Sequence, residues 1–220
     1  MADSGSGKIV AICGPDGVGK STLVSELQRL LPGGRVSVMY GGKKANHQLW
    51  TTPLALWILE TMRRIPGVRR LARFYQTVVF QPLEFFENRA RWASARREAE
   101  QREFVLFDRF VVDRMWRHHV SKAGRSLVKV NPGDRFFYWL YESHFPSPHA
   151  YLFLAPTPEL MFERAPGEYG SLDHAIAVGL AYDALAESLA ARGRRVHRLG
   201  FSAEEAPLTL AQRALELVRS

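Results

Sequence analysis

A single cysteine, Cys13, stands among the 220 residues, so no internal disulfide can form and a disulfide-framed secreted domain is excluded. Cys13 falls in an apolar run and reads as a small buried hydrophobe rather than a redox centre. No apolar run approaches the ~18 residues that suggest a membrane-spanning helix. The opening Met1-Ala2-Asp3-Ser4-Gly5-Ser6-Gly7 lacks the basic and apolar regions of a secretion signal. The expectation is a cytoplasmic protein with a disordered tail over 1–7 and no membrane partner. Repeats, low-complexity tracts and linkers are also missing, which leaves one domain over 8–220. The histidines show no metal-ligand spacing; His118 and His119 are adjacent and would face different ways on a helix, which argues against zinc.

Lysine is scarce. Only positions 8, 20, 43, 44, 122 and 129 carry it, so 24 of the 30 basic residues are arginines. Set against 22 acids they give a formal charge of +8, which suits an anionic partner, and guanidinium forks suit phosphate in particular. Nucleic acid is not the expected partner; it stands as a third option prompted by the charge, and it would need basic and aromatic residues along one groove, which a sequence does not display.

What the chain does have is Gly14-Pro15-Asp16-Gly17-Val18-Gly19-Lys20-Ser21, a complete G-x-x-x-x-G-K-[ST] phosphate loop, followed by Thr22. The apolar run Lys8–Cys13 precedes it at strand length. Leu23, Leu27 and Leu30 follow it at helical spacing. In that setting backbone N–H groups curl around a polyphosphate and the helix N-terminus adds partial positive charge. Lys20 reaches the β- and γ-phosphates, and Ser21 offers its hydroxyl to Mg²⁺.

Further strands are expected at 35–40, 104–107, 149–155 and 195–199, alternating with helical stretches. The helical stretch from 48 to about 102 is broken at Pro66-Gly67 and near Pro82. Trp50, Leu54, Trp57, Ile58 and Met62 fall on one face of its first helix, a hydrophobic or dimer-contact face. Helical material is expected to about Lys122, an aromatic segment over Arg135–Tyr141, and long helices over 172–191 and 203–218. Alternation of this kind predicts a parallel sheet covered on both faces. Phe104-Val105-Leu106-Phe107-Asp108 is a buried-type strand ending in an acid, which a phosphate loop places near the metal. Arg109 next to it points toward a transferring or acceptor phosphate.

On these motifs the chain resembles thymidylate kinase, in the nucleoside monophosphate kinase group of P-loop kinases. The phosphate loop with an acid at position 16 is similar to that family's loop, and Phe86-Glu87-Asn88-Arg89-Ala90-Arg91-Trp92 to its Asn-Arg-Trp segment. Asp108-Arg109-Phe110 is similar to its Asp-Arg-aromatic motif, and Leu152–Leu154 with Pro158, Glu159, Leu160 and Arg164 to its fourth strand and approach to the lid. The resemblance implies a three-layer α/β P-loop fold, a five-stranded sheet ordered 2-3-1-4-5, a small lid near 164–172, ATP–Mg²⁺ as donor and a possible homodimer. It implies Arg89 and Arg109 as acceptor ligands, Asp16 as a ligand of an acceptor hydroxyl or a metal-bound water, and Arg164 closing over the phosphates.

The departures are informative. Gly41-Gly42-Lys43-Lys44 replaces the family's acidic element after the second strand, so Lys43 and Lys44 are candidates for an acceptor-phosphate contact. Asp113 replaces a serine that faces the base in the family and is a candidate for an acceptor pocket. Gly17 occupies the loop position where the family can carry a catalytic arginine, and Ala165–Gly170 has no arginine. A hydroxyl acceptor normally needs a positioned base, and nothing acidic follows Tyr40. The expected reaction is therefore phosphoryl transfer to a nucleoside monophosphate, dTMP or another, or to a similar small phosphate. The alternatives are a kinase of a non-nucleotide molecule or a nucleoside hydroxyl, and a nucleotide-binding module with degraded catalysis.

Overall fold

The computed structural model describes residues 7–31, 33–41, 47–115 and 132–220. Five strands, β1 (Lys8–Cys13), β2 (Val36–Tyr40), β3 (Phe104–Asp108), β4 (Ala150–Leu154) and β5 (Val196–Leu199), form one parallel sheet in the order β2-β3-β1-β4-β5. Among the described residues the helices are α1 (Lys20–Leu30), α2 (Thr51–Arg64), α3 (Arg69–Tyr75), α4 (Gln81–Ala99), α5 (Pro132–His144), α6 (Pro158–Arg164), α7 (Pro166–Tyr169), α8 (Leu172–Ala191) and α9 (Pro207–Arg219). Strands β3 and β4 are buried at every residue, and β1 from Ile9 onward. That is why they read as continuous apolar runs: helices cover both sheet faces.

The expected break near Pro82 is absent. Gln76–Phe80 forms one π-helical turn running directly into α4, with Gln81 N–H bonded to Gln76 O. A proline lacks its own N–H and crowds the carbonyl four residues back, and a widened turn accommodates both without ending the helix. The break at Pro66-Gly67 does occur, between α2 and α3. The last helix begins at Pro207 rather than 203, with the proline in its first turn where no backbone donor is needed. Residues 111–114 form a 3₁₀ turn; the expected helix beyond it, to Lys122, lies outside the described residues.

One buried carboxylate fixes how the α2–α4 unit assembles. Glu87, on α4, accepts the Gln48 and Leu49 N–H groups and the Thr52 hydroxyl at the start of α2, and pairs with Arg91 at 3.1 Å. Burial pushes its carboxyl up, but these bonds and Arg91 outweigh it, so the net shift is down. A carboxylate held below its unfolded value stabilises the fold at neutral pH. That contribution is lost as pH falls below the ordinary carboxylate range, about 4.3, toward the depressed folded value. Glu87→Gln leaves Arg91 buried with no countercharge and should cost about 3 kcal/mol. At this chain length that lowers the melting midpoint by roughly 6–12 °C, measurable by thermal circular dichroism.

Candidate functional site

The register puts the site at the carboxyl ends of the two central strands, where ligands of open parallel sheets bind. Ile12 is opposite Asp108 and Tyr40 is opposite Asp108 from the other side, so the chain leaving β1 runs beside that carboxylate. The phosphate loop 14–21 bridges β1 and α1. Its turns are left-handed at Gly17 (φ 78°) and Gly19 (φ 93°), the latter capping α1 without a side chain, which leaves the first helical amides free for an anion.

Ser21 Oγ donates to Asp108 Oδ2 at 2.7 Å, joining the two halves of the site. The other carboxylate oxygen, Asp108 Oδ1, is buried with no hydrogen-bond partner among the described residues. An orphaned carboxylate oxygen beside a hydroxyl is a hard-oxygen donor pair and fits Mg²⁺, which uses one or two protein ligands and takes the rest from phosphate and water. Among the described residues no group of three or more His, Cys, Asp or Glu side chains could hold a metal ion, so a cation here would depend on phosphate oxygens.

Lys20 is folded inward. Its ammonium donates to Gly14 O at 2.7 Å and to Pro15 O, and lies 3.9 Å from Asp16. Burial pulls its pKa below the ordinary lysine value, with Asp113, Asp16 and Asp108 opposing that shift and Arg109 adding to it. Arg109 Nη1 pairs with Asp16 Oδ1 at 2.6 Å across the loop. Arg109 itself has φ 69°, the one positive value at a non-glycine among the described residues. Such a conformation costs about 1–2 kcal/mol and is characteristic of functional sites.

The segment expected as a lid rests on the loop. Tyr169, on α7, donates its hydroxyl to Asp16 O at 2.6 Å. A Cβ at Gly17 would sit 2.6 Å from the Ala165 Cβ. An arginine at position 17 is therefore incompatible with this packing, which accounts physically for the glycine. Arg164 places Nη1 4.0 Å from a Cβ position on Gly19 and its guanidinium 5.6 Å from the Phe201 ring centre, beside the loop.

Lys20, Ser21, Asp108, Arg109, Asp16 and Arg164 are thus gathered around one loop. The remaining expected residues are placed as follows. Arg89 is exposed on α4, and the arginine that helix turns inward is Arg91, held by Glu87 and by Asn88 at 3.4 Å with its Nε buried and unpartnered. Trp92 beside it stacks on Phe107, the rings 12° apart. Asp113 does not present a free carboxylate to an acceptor pocket: Oδ1 accepts the Gly14 N–H and Oδ2 the Phe110 N–H, each at 2.9 Å. The protein packed around it pushes its carboxyl above the ordinary range, while Lys20, the two amides and Arg109 pull the other way. Lys43 and Lys44 lie outside the described residues. Sequence reasoning missed Glu87, Arg91 and Tyr169. The cue for Arg91 was its place directly before Trp92, one helical turn after Glu87; Tyr169 carried no cue.

No protein-family model matches the chain, and no curated protein matches it in sequence. Solved structures do. Thymidylate kinase from Candida albicans superposes with a TM-score of 0.62 at 16% identity, over 97% of this chain and 92% of that one. Deoxyadenosine kinase from M. mycoides, solved with bound dATP, superposes with a TM-score of 0.55 at 13% identity, over 97% of this chain and 100% of its own. The same enzyme with dCMP and dCDP bound gives 0.51 at 13% identity. At these identities the likeness is one of fold, and with the sheet order and the loop it establishes that this chain has the three-layer P-loop kinase fold shared by thymidylate kinase and deoxyadenosine kinase.

Proposed function

We propose that the chain is an ATP-dependent phosphotransferase that moves the γ-phosphoryl group to a nucleoside monophosphate or a similar small phosphorylated acceptor. The observation that carries this is the Ser21–Asp108 bond with the second Asp108 oxygen left free, directly beside a complete phosphate loop. Phosphoryl transfer is catalysed mainly by positioning and charge neutralisation, so the roles follow from charge and place. The loop from Gly14 to Thr22 wraps the ATP phosphates. Lys20 exchanges its two main-chain carbonyls for phosphate oxygens. Ser21 and Asp108 would hold Mg²⁺, which when bound neutralises phosphate charge. Arg109 leaves Asp16 to meet the acceptor phosphate, and Asp16 is then free for an acceptor hydroxyl. Arg164 lies where it can close over the phosphates.

A panel assay tests the reading: ATP consumption with nucleoside monophosphates, nucleosides and sugar phosphates. Turnover with a monophosphate is expected. Turnover confined to hydroxyl acceptors would make the protein a nucleoside or small-molecule kinase, the reading that the deoxyadenosine kinase likeness favours. Binding of ATP without any turnover would make it a nucleotide-binding module.

The same reading includes a homodimer. Trp50, Leu54 and Trp57 stand 81%, 51% and 64% exposed on the side of α2 opposite its buried Thr52, Ala55 and Leu59. Both faces of the helix are thus largely apolar, and an outward apolar stripe of this kind marks a contact surface. Sedimentation should show a species of twice the chain mass; a monomer at micromolar concentration would contradict it. No described helix is long and apolar enough to cross a membrane.

A further inference from the structure

Asp113 spends both carboxylate oxygens on main-chain amides. Its two carboxylate oxygens are divided between two amides far apart in sequence: Gly14, the first residue of the phosphate loop, and Phe110, the residue after Arg109. Its main-chain carbonyl accepts the Tyr182 hydroxyl from α8 at 3.4 Å. The side chain therefore joins the exit of β1 to the exit of β3, and the main-chain carbonyl of the same residue ties in the helix after the lid segment.

The two anchored amides bracket the charged groups of the site. Asp16 and Lys20 follow Gly14 within the loop. Arg109 precedes Phe110, and its left-handed backbone is held on one side by its own N–H bonding Ile12 O at 3.2 Å and on the other by the Phe110–Asp113 bond. With both ends fixed, the Arg109 guanidinium meets Asp16 at 2.6 Å. Each amide has a carboxylate oxygen of its own, so turning either oxygen into a donor takes the partner from one of them.

We propose that Asp113 is a positioning residue that locks the phosphate loop and the Arg109-bearing turn in one register, and that it sets affinity for the ATP phosphates rather than choice of acceptor. This rests on the phosphotransferase reading above.

The test compares the wild type with Asp113→Asn and Asp113→Ser. Asparagine keeps the shape but turns one acceptor into an NH₂ group, so one of the two amides loses its partner; serine is too short to hold both. Two quantities are read on folded protein: the dissociation constant for ATP with Mg²⁺ by calorimetry, and relative turnover across the acceptor panel. Affinity is expected to fall at least about tenfold in Asp113→Asn, equivalent to about 1.4 kcal/mol, and further in Asp113→Ser. The ranking of acceptors should stay unchanged. A changed ranking with affinity within twofold of wild type would return Asp113 to the acceptor pocket and overturn the proposal. A lowered melting point with affinity and ranking both intact would also overturn it, leaving a purely structural residue. Should the serine variant fail to fold, the near-isosteric asparagine variant carries the test. Failure of the wild type to bind ATP would instead remove the functional reading beneath it.

Discussion

Lys20→Ala is expected to lower phosphoryl transfer by about 10³-fold while the protein stays folded. The magnitude is that of removing one pre-aimed group from the charge that develops in a transition state. The ammonium has no surface role to lose, since its side chain is only 4% exposed and its bonds are to the loop's own carbonyls, Gly14 O and Pro15 O. On the proposed reading those carbonyls hold it where phosphate oxygens would take it over. Its removal also leaves Asp16, Asp108 and Asp113 with Arg109 as the main nearby cation, a poorer field for a polyanion. Steady-state rates, read beside a thermal melt, check this. A rate within tenfold of wild type in a folded variant would contradict the role given to the loop.

Asp108→Asn carries the second-largest expected loss, about 10²-fold in turnover, together with a weakened dependence of ATP binding on Mg²⁺. The loss comes from the division of labour between its two oxygens. Oδ2 is bound by the Ser21 hydroxyl, which an amide oxygen can still accept. Oδ1 is buried and unpartnered, and an amide there either turns an NH₂ toward a cation or reverses and breaks the serine bond. Either way a formal charge is lost where magnesium needs hard, anionic oxygen. Ser21→Ala combined with Asp108→Asn should cost much less than the sum of the two, because both act on one ion. A magnesium titration of ATP affinity identical to wild type would contradict the assignment.

Which parts of this were legible in the sequence follows from how local their causes are. Strands β1, β3 and β4 read well because each is a short apolar run buried on both faces, and the long helix at 172–191 because its apolar spacing is uninterrupted. The sheet order did not come from periodicity; it came from the resemblance carried by residues 14–22, 86–92 and 108–110. Pro82 misled because a proline signals a break locally, and only the continuing helix shows that a π turn absorbs it. The site followed the same rule. Lys20, Ser21 and Asp108 have expected roles set by motif position. Asp113 does not, since its partners Gly14 and Tyr182 lie 99 and 69 positions away. Glu87 looked like one acid in a charged helix, and its function as the cap of α2 depends on where Gln48 and Leu49 arrive in space. Arg89 and Arg91 differ by two positions, about 200° around a helix, so that only the packing of Trp92 on Phe107 tells which one turns inward.

The arginine-poor segment 165–170 has a consistent physical account. Ala165 lies over Gly17 and Tyr169 is bonded to Asp16 O, so this short stretch closes one side of the loop by packing and a single hydroxyl. On the proposed reading, positive charge near the phosphates would come from Lys20, Arg109 and Arg164, each of which lies against the loop.

The account is tested most directly by calorimetric titration of the purified protein with ATP, in the presence of Mg²⁺ and again with the cation chelated. Saturable one-site binding that weakens on chelation is the predicted result. A flat titration in both conditions, from a protein that melts cooperatively, would contradict it.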